Sequence, residues 1–94
     1  MAIRIPLPER AAAQWLAGPH EDNLALLEAE FGITARVHGA ELVLDGPNPR
    51  VDLANRLVAT LLPRFDASDP LTIPALRSAI EALKADPEAR VGSL

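Results

Sequence analysis

Three observations in the sequence predict a small α+β domain, a three-stranded sheet with helices packed mainly on one face. Residues 33–38 alternate apolar and polar side chains, and after Gly39-Ala40 residues 41–45 return as their partner with Leu42 and Leu44 inward, the pattern of a half-buried hairpin. Two longer stretches repeat aliphatic residues at helical spacing, Val51, Ala54, Leu57, Val58, Leu61 and Leu62, and then Ile73, Leu76, Ile80 and Leu83. Gly18-Pro19 and Gly46-Pro47 interrupt the chain between such segments. A chain of 94 residues supports one core; with 49% hydrophobic but only 3% aromatic residues, that core is aliphatic.

Taken in order, residues 3–7 alternate and form a first, brief strand, which Pro6 and Pro8 confine to an edge because proline cannot donate to a ladder. Pro8 suits the first turn of a helix that runs through Ala11, Ala12, Ala13, Trp15 and Leu16 and stops at Gly18. Asp22 and Asn23 suit the start of a second helix, whose Leu24, Leu27 and Phe31 make a core-facing stripe and whose left-handed end is Gly32. In the hairpin Ile33, Ala35 and Val37 face the core with Leu42 and Leu44. Thr34, Arg36 and His38 then lie on the opposite face, and glycine first in a two-residue loop predicts a type II′ turn. Asn48 is placed to cap the third helix and Pro49 to begin it; Pro63 ends or kinks it. Residues 64–70 are a polar connector, and Thr72 caps a last helix. Residues 1–84 therefore form one domain, and residues 85–94, which carry no pattern, are a tail or linker.

The composition narrows the chemistry. A formal net charge of −4 argues against broad adhesion to nucleic acid, which depends on Lys and Arg neutralising phosphates, but leaves room for a local basic stripe. There is no cysteine, hence no disulfide frame and no thiolate metal site. No apolar run approaches the roughly 18 residues of a membrane span, and no secretory leader is evident at residues 1–8, so a cytoplasmic protein without membrane contact is expected. No phosphate loop, zinc-protease motif or nucleophile elbow occurs, and the chain by itself is not expected to be catalytic. His20 beside Glu21 and Asp22 fits a helix start, where carboxylates favour the dipole, better than a metal or acid-base site. His38 shares a strand face with Arg36 and can meet a partner there, while Trp15, just before a glycine stop, is read as core.

The order strand, helix, glycine turn, helix, strand, strand, helix resembles the type I arrangement of KH nucleic-acid-binding domains, here with an added C-terminal helix. In that fold a GxxG loop between the first two helices clamps a single-stranded backbone. Gly18-Pro19-His20-Glu21 occupies that position, with glutamate in place of the second glycine. The resemblance narrows further with Gly18 to Leu24, Leu27-Glu28, Phe31-Gly32-Ile33, Arg36, Gly39, Leu44-Asp45-Gly46 and the stripe from Val51 to Leu61. Together with Leu71-Thr72, Leu76, Arg77 and Ile80, these residues look like the N-terminal region of PhoH-like proteins. That family is phosphate-starvation-inducible and cytoplasmic, with a P-loop ATPase domain C-terminal to this region.

The resemblance implies an accessory domain that presents single-stranded RNA to that ATPase through Gly18, Pro19, His20, Asn23, Arg36 and His38. ATP and Mg²⁺ would belong to the C-terminal domain and no cofactor to this chain; some members form ring-like homo-oligomers. The alternative is a protein-interaction or oligomerisation module without RNA binding, which the acidic loop and net charge favour.

Overall fold

The computed structural model describes residues 1–85. They form β1 (Ala2–Pro6), α1 (Arg10–Ala17), α2 (Asp22–Phe31), β2 (Thr34–His38), β3 (Glu41–Asp45), α3 (Asn48–Leu61) and α4 (Ile73–Ala85), with short 3₁₀ turns at Pro19–Glu21 and Leu62–Arg64. The sheet is antiparallel in the order β1-β3-β2, so the strand that arrives last lies in the middle. Leu42 and Leu44 on that central strand are fully buried, and each such side chain contributes about 1.5–3 kcal/mol by leaving water. Ile3 pairs with Leu44 and Ile5 with Leu42 on one side, Ala35 with Leu44 and Val37 with Leu42 on the other. Those residues make the inner face, covered by α1, α2 and α3, while Arg4, Thr34, Arg36, His38 and Asp45 stand exposed on the outer one. α4 packs across α2 and α3 through buried Leu76, Ile80 and Leu83.

The hairpin keeps its predicted register and loop, with β2 starting one residue late, at Thr34, and Ile33 buried just ahead of it. His38 pairs with Glu41, leaving Gly39-Ala40 as the loop, and Gly39 alone of the two has a positive φ, +61°, as a type II′ turn requires. The stop signals also hold: α1 ends at Gly18, α2 at Gly32 (φ 65°, ψ 42°), and α3 at Leu61 before the turn containing Pro63. Thr72 caps α4, its Oγ1 accepting from the Ala75 N–H at 3.3 Å.

Several local expectations shift. β1 begins and ends one residue earlier than expected, and Leu7 reaches the sheet only through its N–H, donated to the Ala40 carbonyl at 2.8 Å. Pro8 lies ahead of α1, whose cap position is Glu9. Asn48 sits in the first turn of α3 rather than capping it, because Pro47, at φ −60° and ψ 139°, already makes the entry and its carbonyl accepts from Arg50 and Val51. Asp22 is helical from the outset, with Glu21 in the cap position and no side-chain cap bond. The last helix includes Ala85, one residue past the expected end of the domain; the rest of the expected tail, residues 86–94, lies outside the described residues.

Candidate nucleic-acid interface

The turn between α1 and α2 is built on Gly18, at φ 75° and ψ 175°, a region essentially closed to residues with a Cβ. A Cβ there would also fall 2.8 Å from Asn23 Cγ. Next come His20 at φ 53° and Glu21 at φ 59°, two consecutive left-handed residues that are not glycine, each costing roughly 1–2 kcal/mol relative to a relaxed backbone. Glutamate thus adopts the left-handed conformation that glycine would take without strain. Pro19, His20 and Glu21 are all exposed. Pro19 has no N–H, the Glu21 N–H is donated to the Gly18 carbonyl at 3.1 Å, and the Asp22 N–H is donated to the Pro19 carbonyl. A phosphate approaching this turn therefore meets few free backbone donors, and two carboxylates beside them.

Asn23 does not belong to the exposed set. It is 1% exposed, and its Nδ2 donates to the Leu71 carbonyl at 2.9 Å, tying the start of α2 to the entry of α4. Its position explains this: four residues before Leu27 and eight before Phe31, Asn23 lies on the same buried stripe. An amide there must find a partner, and the Leu71 carbonyl is one.

On the sheet, Arg36 and His38 are exposed on the outer face, as expected, in separate cross-strand rows. Arg36 shares a row with Val43 and Arg4, and His38 with Glu41 and Pro6. Arg36 is not idle. Its guanidinium donates to Glu28 Oε2 at 3.2 Å, and the same carboxylate oxygen accepts from the Ala35 N–H at 2.9 Å. Arg36 also reaches the Ala35 carbonyl at 3.4 Å. Glu28 and Arg36 thereby occupy both backbone polar groups of Ala35 on the outer edge of β2. Nothing in the sequence marks Glu28 for this task, which depends on α2 lying beside β2.

Trp15 is half-buried and anchors the connector to α4. Its Nε1–H donates to the Asp69 carbonyl at 2.8 Å, and its ring meets Phe65 edge-on, with centroids 5.7 Å apart. Between those contacts Asp66 turns the chain by accepting from the Ser68 N–H and hydroxyl at 2.9 and 2.7 Å; these bonds hold its carboxyl below the ordinary carboxylate range. Two clefts adjoin Trp15. One, of about 300 Å³, is lined by Ala11, Gln14, Gly18, Pro19 and Pro70 among others. The second, of about 230 Å³, includes Arg64, Asp69 and Thr72. No group of three or more potential metal ligands occurs among the described residues, and no helix among them is long and apolar enough to cross a membrane.

This architecture is a KH-like α+β fold, and solved structures share it. The a/eIF2alpha-aDim2p-rRNA complex from Pyrococcus horikoshii matches 92% of this chain and 48% of the compared chain, with a TM-score of 0.68 at 14% identity. A protein of unknown function from Aeropyrum pernix matches 93% of this chain and 50% of its own, with a TM-score of 0.65 at 12% identity. In sequence, the chain is similar to a PhoH-like protein of Synechocystis, with 32% identity over 79 residues, or 84% of this chain. It spans about a quarter of that relative, 24% of its length. No family model matches the chain.

Proposed function

We propose that the chain is a non-catalytic accessory domain of a PhoH-like ATPase, directing single-stranded RNA to an ATPase domain beyond residues 85–94. The observation that carries this reading is the match to a quarter-length segment of a PhoH-like protein by a chain whose fold is KH-like. The exposed α1–α2 turn supports it, since it keeps a left-handed backbone without the second glycine. His20 on the turn, with Arg36 and His38 on the sheet, would meet the strand; Asn23, being buried, would hold the turn in place. ATP and Mg²⁺ would be bound by the ATPase domain, and the assembly would work in the cytoplasm.

A second reading, a protein-interaction or oligomerisation module, is favoured by one specific observation. Arg36 is already neutralised by Glu28, and Glu21 and Asp22 stand where a phosphate would approach.

An NMR titration with a short mixed-sequence single-stranded RNA at about 50 mM salt, where weak phosphate-driven binding is visible, separates the two. RNA contact shifts the amides of Gly18, His20 and Glu21 and of residues 34–38. Arg36→Ala then weakens binding and lowers the salt slope by about one ion. A spectrum unmoved by RNA, with line widths that grow with protein concentration, leaves the interaction module.

A further inference from the structure

No strand residue lines the cleft between Trp15, Pro19 and Pro70, yet it shares Gly18 and Pro19 with the exposed turn. Resting on the RNA reading above, we propose that this cleft takes one nucleobase of the strand whose backbone passes the α1–α2 turn. Its lining is an indole, two prolines, Gly18, Ala11, Ala67 and Leu71, with no charged side chain. Gln14 is the single polar side chain in it, offering both a donor and an acceptor. A flat, neutral group with a polar edge suits such a lining, and a nucleobase is one; a phosphate or a charged side chain is not.

Trp15 is prepared for the role. Its Nε1–H is committed to the Asp69 carbonyl and its ring is braced by Phe65, so little freedom remains to be lost when a base stacks. The second cleft shares Trp15 and carries Arg64, which is exposed and has no ion pair among the described residues. That guanidinium can receive a neighbouring phosphate, although Asp69 lines the same cleft and offsets its charge. Binding here accordingly comes from stacking, with weak dependence on salt, unlike contact at Arg36.

Trp15 is the sole tryptophan, so its emission reports on this cleft directly. The test is a fluorescence and amide-shift titration of the full chain with a short single-stranded oligoadenylate at about 50 and 200 mM salt. Quenching of Trp15 with the same midpoint as the amide shifts is expected. Ala67→Phe, at an exposed position on the cleft rim, should fill the cleft and weaken binding roughly five- to hundredfold, the range for losing one stacked base. Gln14→Ala, also at an exposed position, should weaken it less. RNA-induced shifts at residues 18–21 and 34–38 without quenching, and with no effect of Ala67→Phe, overturn the cleft while leaving the RNA reading intact. The absence of any binding overturns both. Quenching by a proline-rich peptide and not by the oligonucleotide gives the cleft to a polyproline partner and overturns the proposal as well.

Discussion

Two glycine turns in this molecule are close in length and opposite in character. At Gly39-Ala40 the hairpin turns within two residues, glycine carries the only positive φ, and a Cβ added to it would meet nothing within 4 Å. At Gly18-Pro19-His20-Glu21 the glycine is crowded by Asn23, and two further residues are left-handed without being glycine. The hairpin is a relaxed connection whose sequence suits its geometry. The other turn is held in shape by its surroundings, above all by the buried Asn23 amide on the Leu71 carbonyl. Strain at an exposed turn, beside one buried hydrogen bond, marks a place where shape matters more than stability.

Adding one methyl group to each turn separates the two most widely. Gly18→Ala combines a closed backbone region with a clash against a buried side chain. It should cost roughly 2–4 kcal/mol, on the order of 10–20 °C in melting temperature for a domain this size. Gly39→Ala finds open space and meets only the cost of a positive φ in a residue with a Cβ, roughly 1–3 kcal/mol, so the smaller loss is expected. Thermal unfolding of both variants decides the matter: equal losses would mean that Asn23 does not police the first turn.

Glu21→Gly sharpens the contrast from the other side. Removing a side chain from a left-handed residue gains roughly 1–2 kcal/mol, offset by about 0.4–1 kcal/mol of extra freedom in the unfolded chain. A net gain of up to about 1.5 kcal/mol in denaturant unfolding is expected and, if the proposed RNA contact holds, tighter RNA binding as the carboxylate departs. A destabilised variant would show that the Glu21 side chain makes a contribution larger than its backbone strain.

The smallest effect concerns Asp66 in the connector. Its folded-state value is lowered by two bonds from Ser68, so the stability it contributes is present above its ordinary unfolded value and is lost as pH falls through the folded one. That loss belongs to acid below the usual carboxylate range, and Ser68→Ala should move the Asp66 titration upward in carbon-detected NMR. An unmoved titration would remove the Ser68 hydroxyl as a cause and leave the backbone N–H of residue 68, the larger of the two and one that the alanine variant keeps.

Much of the fold was legible because it follows from local periodicity and stop signals. The hairpin register, the α2 stripe of Leu24, Leu27 and Phe31, the glycine ends and the Thr72 cap each depend on residues a few positions apart. Asn23 was readable but outvoted: its spacing to Leu27 placed it inside, while its chemistry suggested a surface or capping role. The Asn48 cap failed because Pro47 fixed the entry one residue earlier. The Glu28 contacts and the union of Trp15 with Phe65 and Asp69 could not be read, since their partners meet only after the helices have packed. In the second case those partners lie some fifty residues along the chain.

The seal that Glu28 and Arg36 place over Ala35 also bears on how this chain behaves in company. A three-stranded sheet has two free borders, each a template on which another molecule's backbone can zip into a growing ladder. Here β2 has one rung occupied by its own side chains, and on β1 Pro6 removes another by lacking an N–H. Each border of this aliphatic-rich chain thus lacks one rung for such a ladder, and on β2 that rung is closed by a carboxylate from α2 together with a guanidinium from the strand itself.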